Sequence, residues 1–410
     1  MVSEPERIPA TSLVTTNPDK KINQYVQRRV LHTKHGSSTI VLLCRDSNVE
    51  GRDVVVKAVK RLSIQDKSKM FKKSYVAVRR NDPPSSEQNV QKEISILRSC
   101  RHASHVQLLE VIDDPSQDSV FIAMEYLCGG QIQWECQGKP TLTIEQSRRI
   151  VRDVVLGLEY LHYHGIIHRD IKPANLVWSQ DRSYVKIIDY GISHYSNNFI
   201  QVSRPHTRAQ LDPLRNCAYF KDQDLLKMRG TGFFYAPEVI WLPKDTPSPT
   251  TPSDTIESCS ATPTTRPPVT KSVDVWCLAV TLYCFLFGHF PFHPVRKRHP
   301  SHNQFALNKL ILDSDWDVDE TMGADVVPTG GRHHPPHTAS VIGLLDQMLQ
   351  KDPRKRISIL ELKRHPWILQ GIEDVDGWTW NTSPSTYYMH PSYRWLRQLL
   401  YRLFSHTYGW

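Results

Sequence analysis

The stretch His168-Arg169-Asp170-Ile171-Lys172-Pro173-Ala174-Asn175 sets a carboxylate, an ammonium two residues on and a carboxamide five residues on along one short loop. Those groups suit phosphoryl transfer, which asks the protein for a placed hydroxyl, a bound metal ion and neutralised phosphate charge, and for little covalent chemistry. Asp170 would orient an acceptor hydroxyl and take its proton. Lys172 would reach the migrating phosphoryl group, and Asn175 would hold a magnesium ion. The plainer reading, a polar surface turn after a helix, does not account for the order of the residues.

The chemistry needs further parts, and the chain supplies them in order. Asp189-Tyr190-Gly191 follows a strand-like run, Val185-Lys186-Ile187-Ile188. Ala236-Pro237-Glu238 comes later, preceded by Gly230-Thr231-Gly232. Farther on lie Asp274 in Val273-Asp274-Val275-Trp276 and Arg356 in the basic run after Lys351. Together these resemble the protein-kinase signatures H-R-D-x-x-x-x-N, D-F-G with Tyr for Phe, and A-P-E. The resemblance implies ATP and Mg2+ as cofactors, and Asp189 as a second magnesium ligand beside Asn175. It implies that Thr231 hydrogen-bonds Asp170 and Lys172, that Arg356 is the buried partner of Glu238, and that Asp274 anchors the catalytic-loop backbone. By the same resemblance, Lys172 implies serine/threonine rather than tyrosine substrates. Arg169 precedes the aspartate, so a phosphate on the activation segment has a possible reader; Ser196, Ser203 and Thr207 are candidate acceptors.

A lysine must also meet the α/β-phosphates and pair with a glutamate on a helix. Two compete in Asp53-Val54-Val55-Val56-Lys57-Ala58-Val59-Lys60. Lys60 carries an alanine two residues before it, as in V-A-I-K, and Lys57 does not, so Lys60 is favoured, with Glu93 as partner. The phosphate-covering loop is weaker. A G-x-G-x-x-G pattern is expected before Val41, yet only Gly36 is retained, and Gly36 reads nearly as well as a plain hairpin turn. Lost glycines limit how closely backbone amides approach phosphates.

The elements that must position these residues follow from periodicity. Thr39–Leu43, Asp53–Lys60 and Val120–Leu127 read as strands; Val90–Ser99 and Ile144–His164 read as helices, the second with Ile150, Val154, Leu158 and Leu161 at three- to four-residue spacing. The expected fold is α+β and bilobal: a small β-rich N-lobe with one helix (22–127) and a larger helical C-lobe (128–369). Residues 1–21 read as a disordered leader. Segments 197–224 and 246–270 read as loop insertions, the second rich in Pro, Ser and Thr and expected to lack structure. A tail, 370–410, follows.

Composition narrows the classes. The net charge of +9 is spread widely and comes with no nucleic-acid-binding motif, so no nucleic-acid partner is expected. Eight cysteines without C-x-x-C pairs suit a reducing compartment, cytoplasmic or also nuclear. The longest apolar run, Trp276–Phe287, is too short to span a bilayer, so no transmembrane segment is expected.

Within protein kinases the chain looks most like the calcium/calmodulin-dependent protein kinase kinases. The likeness is carried by Ile22-Asn23-Gln24-Tyr25, Leu109–Pro115, Glu159–Tyr163, Asp274–Trp276 with Val280–Phe285, and His365-Pro366-Trp367. It implies a protein substrate that is itself a Ser/Thr kinase, phosphorylated on its activation loop. It also implies Met124 as gatekeeper and Glu125 and Leu127 as hinge contacts to adenine. In 392–410, Trp395, Leu396, Leu399, Leu400, Leu403 and Phe404 alternate with Arg394, Arg397 and Arg402 at helical spacing. That pattern fits a helix docked on the chain's own large lobe, a calmodulin target or a membrane-surface helix. The rival reading of the whole is a pseudokinase scaffold, prompted by the missing glycines and the long insertions.

Overall fold

The computed structural model describes residues 21–33, 39–61, 86–200, 214, 219–241, 266–293, 300–331 and 340–387. Gly36, Ser203, Thr207, most of 246–270 and the whole of 392–410 lie outside the described residues. The chain divides into two compact units, one holding residues 1–132, 174–195 and 210–221, the other holding the rest.

The first unit is built on a six-stranded antiparallel sheet. Its strands are β1 (Lys21–Ile22), β2 (Tyr25–Thr33), β3 (Thr39–Asp46), β4 (Asp53–Lys60), β5 (Leu108–Ile112) and β6 (Ser119–Glu125), in the order β1-β2-β3-β4-β6-β5. The β-branched run of β4 favours strand because its side chains pack on a pleated surface. Successive residues face opposite sides of the sheet. Val54 and Val56 pack with Ile22, Tyr25, Leu42, Cys44, Ile112, Phe121 and Ala123 into one core, with Ala58 against its edge. Lys57 therefore faces away from that core. Helix α1 (Ser86–Ser99) buries Val90, Ile94 and Leu97 at helical spacing, with Glu93 between them on a buried flank. A hairpin of β7 (Leu176–Trp178) and β8 (Val185–Ile187) completes the unit, pairing Leu176 with Ile187 and Trp178 with Val185.

The second unit is mostly helical. Helix α2 (Ile144–Tyr163) starts at a reciprocal cap: Thr143 accepts from the Gln146 backbone N–H, and the Gln146 side chain accepts from the Thr143 N–H. It packs against α3 (Ser272–Phe287), in which every residue from Val273 onward is buried. Helix α3 ends at Gly288, in left-handed conformation with φ 74°. A Cβ there would also lie 2.5 Å from the backbone of Lys139 and Pro140, so conformation and space both demand glycine. Beyond α3 come α4 (Pro300–Asp313), α5 (Val341–Met348), α6 (Ile359–Lys363) and α7 (Val375–Asn381). Lys363 is 2 % exposed and donates to Glu159 Oε2 at 2.7 Å and to the Thr379 carbonyl at 3.3 Å, tying α6 to α2 and α7. A β-rich unit with one helix and a helical unit are the α+β division expected from periodicity.

Both expected insertions carry more order at their ends than their composition suggests. Strand pairing runs on to Ile200, and a 3-10 turn covers Asp222–Leu226. Arg266, inside the Pro/Ser/Thr-rich stretch, donates to the carbonyls of Glu238 (3.0 Å), Val239 (2.9 Å) and Leu226 (3.2 Å). Three carbonyl acceptors fix a guanidinium that composition alone marks as loop. Among the described residues, no helix is long and apolar enough to cross a membrane.

Candidate active site

The first unit assembles a cation and two carboxylates. Lys57 Nζ lies 2.6 Å from Glu93 Oε1 and 3.3 Å from Asp189 Oδ1. The expected pairing of Glu93 with Lys60 is therefore corrected: Lys57 makes it. Lys57 and Lys60 are three residues apart on one strand and project from opposite faces, and Lys60 ends β4 exposed. The cue that misled was Ala58; the V-A-I-K pattern is present three residues earlier as Val54-Val55-Val56-Lys57, with valine in the alanine position. Burial pulls the Lys57 ammonium toward neutrality, but the charges of Glu93 and Asp189 more than reverse this and hold it protonated. Val41 is the β3 partner of Lys57 in the sheet register.

Asp189 has φ 62°, a left-handed conformation that costs a non-glycine residue roughly 1–3 kcal/mol. Its side chain is half exposed, and its Oδ1 also accepts from the Gly191 N–H at 3.3 Å. Asn175 ends a 3-10 turn, is buried, and its carbonyl accepts from the Ile188 N–H at 3.0 Å. The turn carrying Asn175 is thereby tied to the strand leading into Asp189. A carboxylate and a carboxamide are hard oxygen donors of the kind Mg2+ prefers, so these residues fit the metal that the motif resemblance implies. Met124 and Glu125 close β6, Met124 opposite Val55 of β4. The Glu125 carboxylate accepts from the Lys186 ammonium and, at 2.7 Å, from the Gln107 N–H. Leu127 opens the following turn, its carbonyl accepting from Gly130.

The second unit brings Asp170, Lys172 and Thr231 together. Lys172 Nζ is 2.6 Å from Asp170 Oδ2 and 2.6 Å from Thr231 Oγ1, and Thr231 donates to Asp170 Oδ1 at 3.1 Å. A carboxylate held by an ammonium on one oxygen and a hydroxyl on the other has little freedom to rotate. The loop below it is fixed by Asp274, fully buried in α3, which accepts from the His168 N–H (2.9 Å), the Arg169 N–H (2.7 Å) and His162 Nε2 (2.8 Å). Burial pushes the Asp274 carboxyl up. The hydrogen bond from His162, the neighbouring His162 and His168 and the Arg169 N–H outweigh it, and Asp274 titrates below the ordinary carboxylate range. His162 is a partner that the sequence did not single out. Glu238 and Arg356 form a bidentate pair at 2.8 and 3.0 Å with both side chains fully buried.

Arg169 takes φ 71° and turns inward. Its guanidinium donates to the carbonyls of Asp224, Leu225 and Lys227, at 3.2, 3.3 and 2.7 Å. Burial, and then the charge of Arg229, lower its pKa to about 10. The side chain read as a possible phosphate reader is thus occupied by the backbone of the activation segment. Ser196, one of three candidate acceptors, is buried.

Comparison with known proteins agrees with this geometry. The family model described as protein kinase domain matches residues 35–368. The serine/threonine-protein kinase ssp1 of Schizosaccharomyces pombe is 36% identical over 82% of this chain and 42% of its own length. The SNF1-activating kinase 1 of Saccharomyces cerevisiae is 29% identical over 87% of this chain and 29% of its own. The serine/threonine-protein kinase TOS3 of the same yeast is 32% identical over 68% and 44%. The chain spans less than half the length of these curated relatives. With the kinase motifs in place in both units and a family model covering most of its length, the chain belongs to the protein kinase family, among relatives named serine/threonine-protein kinases.

Proposed function

We propose that the protein is an active serine/threonine kinase that phosphorylates the activation loop of another kinase, of the AMP-activated or calmodulin-dependent type. The observation that carries activity over a scaffold role is the Lys57–Glu93 ion pair at 2.6 Å with Asp189 beside it. A scaffold has no need to hold a protonated amine and a strained, half-exposed carboxylate side by side. Lys57 would neutralise the α/β-phosphates of ATP, and Asp189 and Asn175 would hold Mg2+, which when bound offsets the charge of the β- and γ-phosphates. Asp170 would accept the proton of a Ser or Thr hydroxyl as its oxygen bonds to the γ-phosphorus and the bond to the β-phosphate oxygen breaks. Lys172 would stabilise the charge that develops.

The substrate class draws support from the name of one relative, SNF1-activating kinase 1, and from the motif likeness to the calcium/calmodulin-dependent protein kinase kinases. Calmodulin binding through 392–410 belongs to the same reading and draws on the basic, apolar spacing of that segment. A reducing intracellular compartment agrees with six free cysteines, and no disulfide, among the described residues. The test is transfer of labelled phosphate to a kinase-dead AMP-activated-type kinase domain, with and without calcium-calmodulin. Labelling of its activation-loop threonine is expected. Labelling of generic peptides with none on that threonine would refute the substrate class while leaving the chemistry standing.

A further inference from the structure

The tyrosine of Asp189-Tyr190-Gly191 carries a hydroxyl that the D-F-G pattern lacks, and the structure gives that hydroxyl a partner. Tyr190 is 1 % exposed. Its Oη lies 2.7 Å from Nδ1 of His105 and donates, in a second geometry, to the Ile187 carbonyl at 3.3 Å. His105 is fully buried, and the two rings meet edge to face with centroids 6.1 Å apart. The Cys100 thiol adjoins the same hydroxyl.

The segment bearing His105 is already laced to the strand that delivers Asp189. Ile187 N–H donates to the Ser104 carbonyl at 2.8 Å, and Val106 N–H donates to the Ile187 carbonyl at 3.1 Å. These bonds are made at Ile187. Asp189 lies two residues on, in a left-handed conformation it would not choose unaided. The Tyr190–His105 hydrogen bond is a side-chain closure between His105 and the residue next to Asp189. We propose that His105 is a positioning residue: through the Tyr190 hydroxyl it fixes the turn that aims the Asp189 carboxylate at Mg-ATP. The proposal rests on reading Asp189 as a metal ligand.

The Tyr190 hydroxyl and His105 Nδ1 make the shorter contact, and without Nδ1 the phenol keeps only the longer one to the Ile187 carbonyl. Removing either partner, or both, opens the same side-chain closure, so the losses from the two changes should not add. The experiment is a double-mutant cycle, Tyr190→Phe, His105→Val and the two combined, with His105→Asn as the conservative variant whose amide can stand in for Nδ1. Two readouts are taken on the full chain: Mg-ATP affinity, and amide hydrogen exchange over 186–193 without nucleotide. Each single change should weaken Mg-ATP binding about 10-fold and speed exchange about 10-fold through loss of the closure. The double variant should lose no more than either single, since one and the same bond is gone in all three, and His105→Asn, which keeps an acceptor for the hydroxyl, should return to within about 3-fold of wild type. Should a single variant fail to fold while the double folds, the coupling is shown all the same. Unchanged exchange in both single variants, losses that multiply in the double, or a His105→Asn as impaired as His105→Val would each overturn the proposal. Asp189→Ala runs alongside: unchanged Mg-ATP affinity there would sink the metal-ligand reading, whereas the exchange measurement judges the His105 closure without it.

Discussion

Replacing Lys57 by methionine separates the two lysines of β4 more sharply than any other change. The methionine keeps the apolar stem and removes one ammonium held 2.6 Å from Glu93 and 3.3 Å from Asp189. Two costs follow. A fixed positive charge aimed at phosphate is lost, and removing one such charge-stabilising donor typically lowers turnover by ~10²–10³, or ~2.7–4 kcal/mol. Glu93, 5 % exposed, is also left without its cation, which favours its neutral form and removes what orients α1. The expected outcome is a fall in kcat/KM of about 10²–10³ for Lys57→Met, with folding retained. Lys60→Met, on the opposite face of β4 and exposed, should stay within about 3-fold of wild type, as surface changes usually do. Phosphate transfer at saturating and limiting ATP, with circular dichroism to check folding, makes the comparison. A Lys60→Met as impaired as Lys57→Met, or a Lys57→Met near wild type, would refute the assignment.

Three further outcomes concern the second unit. Arg356→Ala takes the cation from a fully buried carboxylate, and should destabilise the fold by about 3–5 kcal/mol in urea unfolding. Asp274→Asn removes a carboxylate accepting three hydrogen bonds, and should destabilise by about 3 kcal/mol near neutral pH while loosening the catalytic loop. Because the folded Asp274 titrates below its unfolded value, its contribution is full above the ordinary carboxylate range and is lost as pH falls through the folded value. The gap between wild type and Asp274→Asn should therefore close on acidification. Gly288→Ala meets both a left-handed φ and backbone at 2.5 Å, and should cost roughly 1–3 kcal/mol, read as a lower thermal midpoint.

How legible each part was depends on whether chain distance or packing fixes it. Asp170, Lys172 and Asn175 share one loop, and Asp189 and Glu238 each stand in a short contiguous signature, so spacing alone singled them out. The lysine opposite Glu93 was harder, because the local composition of β4 offered two. Strand parity would have decided between them: Lys57 shares a face with Val55, away from the Val54–Val56 core, and Lys60 does not. His162, inside the Glu159–Tyr163 stretch of family likeness, and His105, three residues after His102, were not singled out, since a histidine says nothing of what it faces until tertiary contacts are known. Arg266 was hidden by its surroundings, a Pro/Ser/Thr-rich stretch whose composition speaks for the segment and not for one guanidinium that finds three carbonyls. The same holds for Arg169, whose type suggested a phosphate but whose acceptors are the carbonyls of Asp224, Leu225 and Lys227.

The most direct test of the central claim is the transfer of labelled phosphate from Mg-ATP by wild type and Asp170→Ala, with phosphoamino-acid analysis of the product. The Asp170 carboxylate is held by Lys172 and Thr231, so its removal should abolish transfer while the unfolding midpoint stays close to wild type. Phosphoserine and phosphothreonine formed by wild type and missing from the variant are the predicted result. Equal labelling by both proteins, or labelling by neither with no Mg-ATP binding, would contradict it.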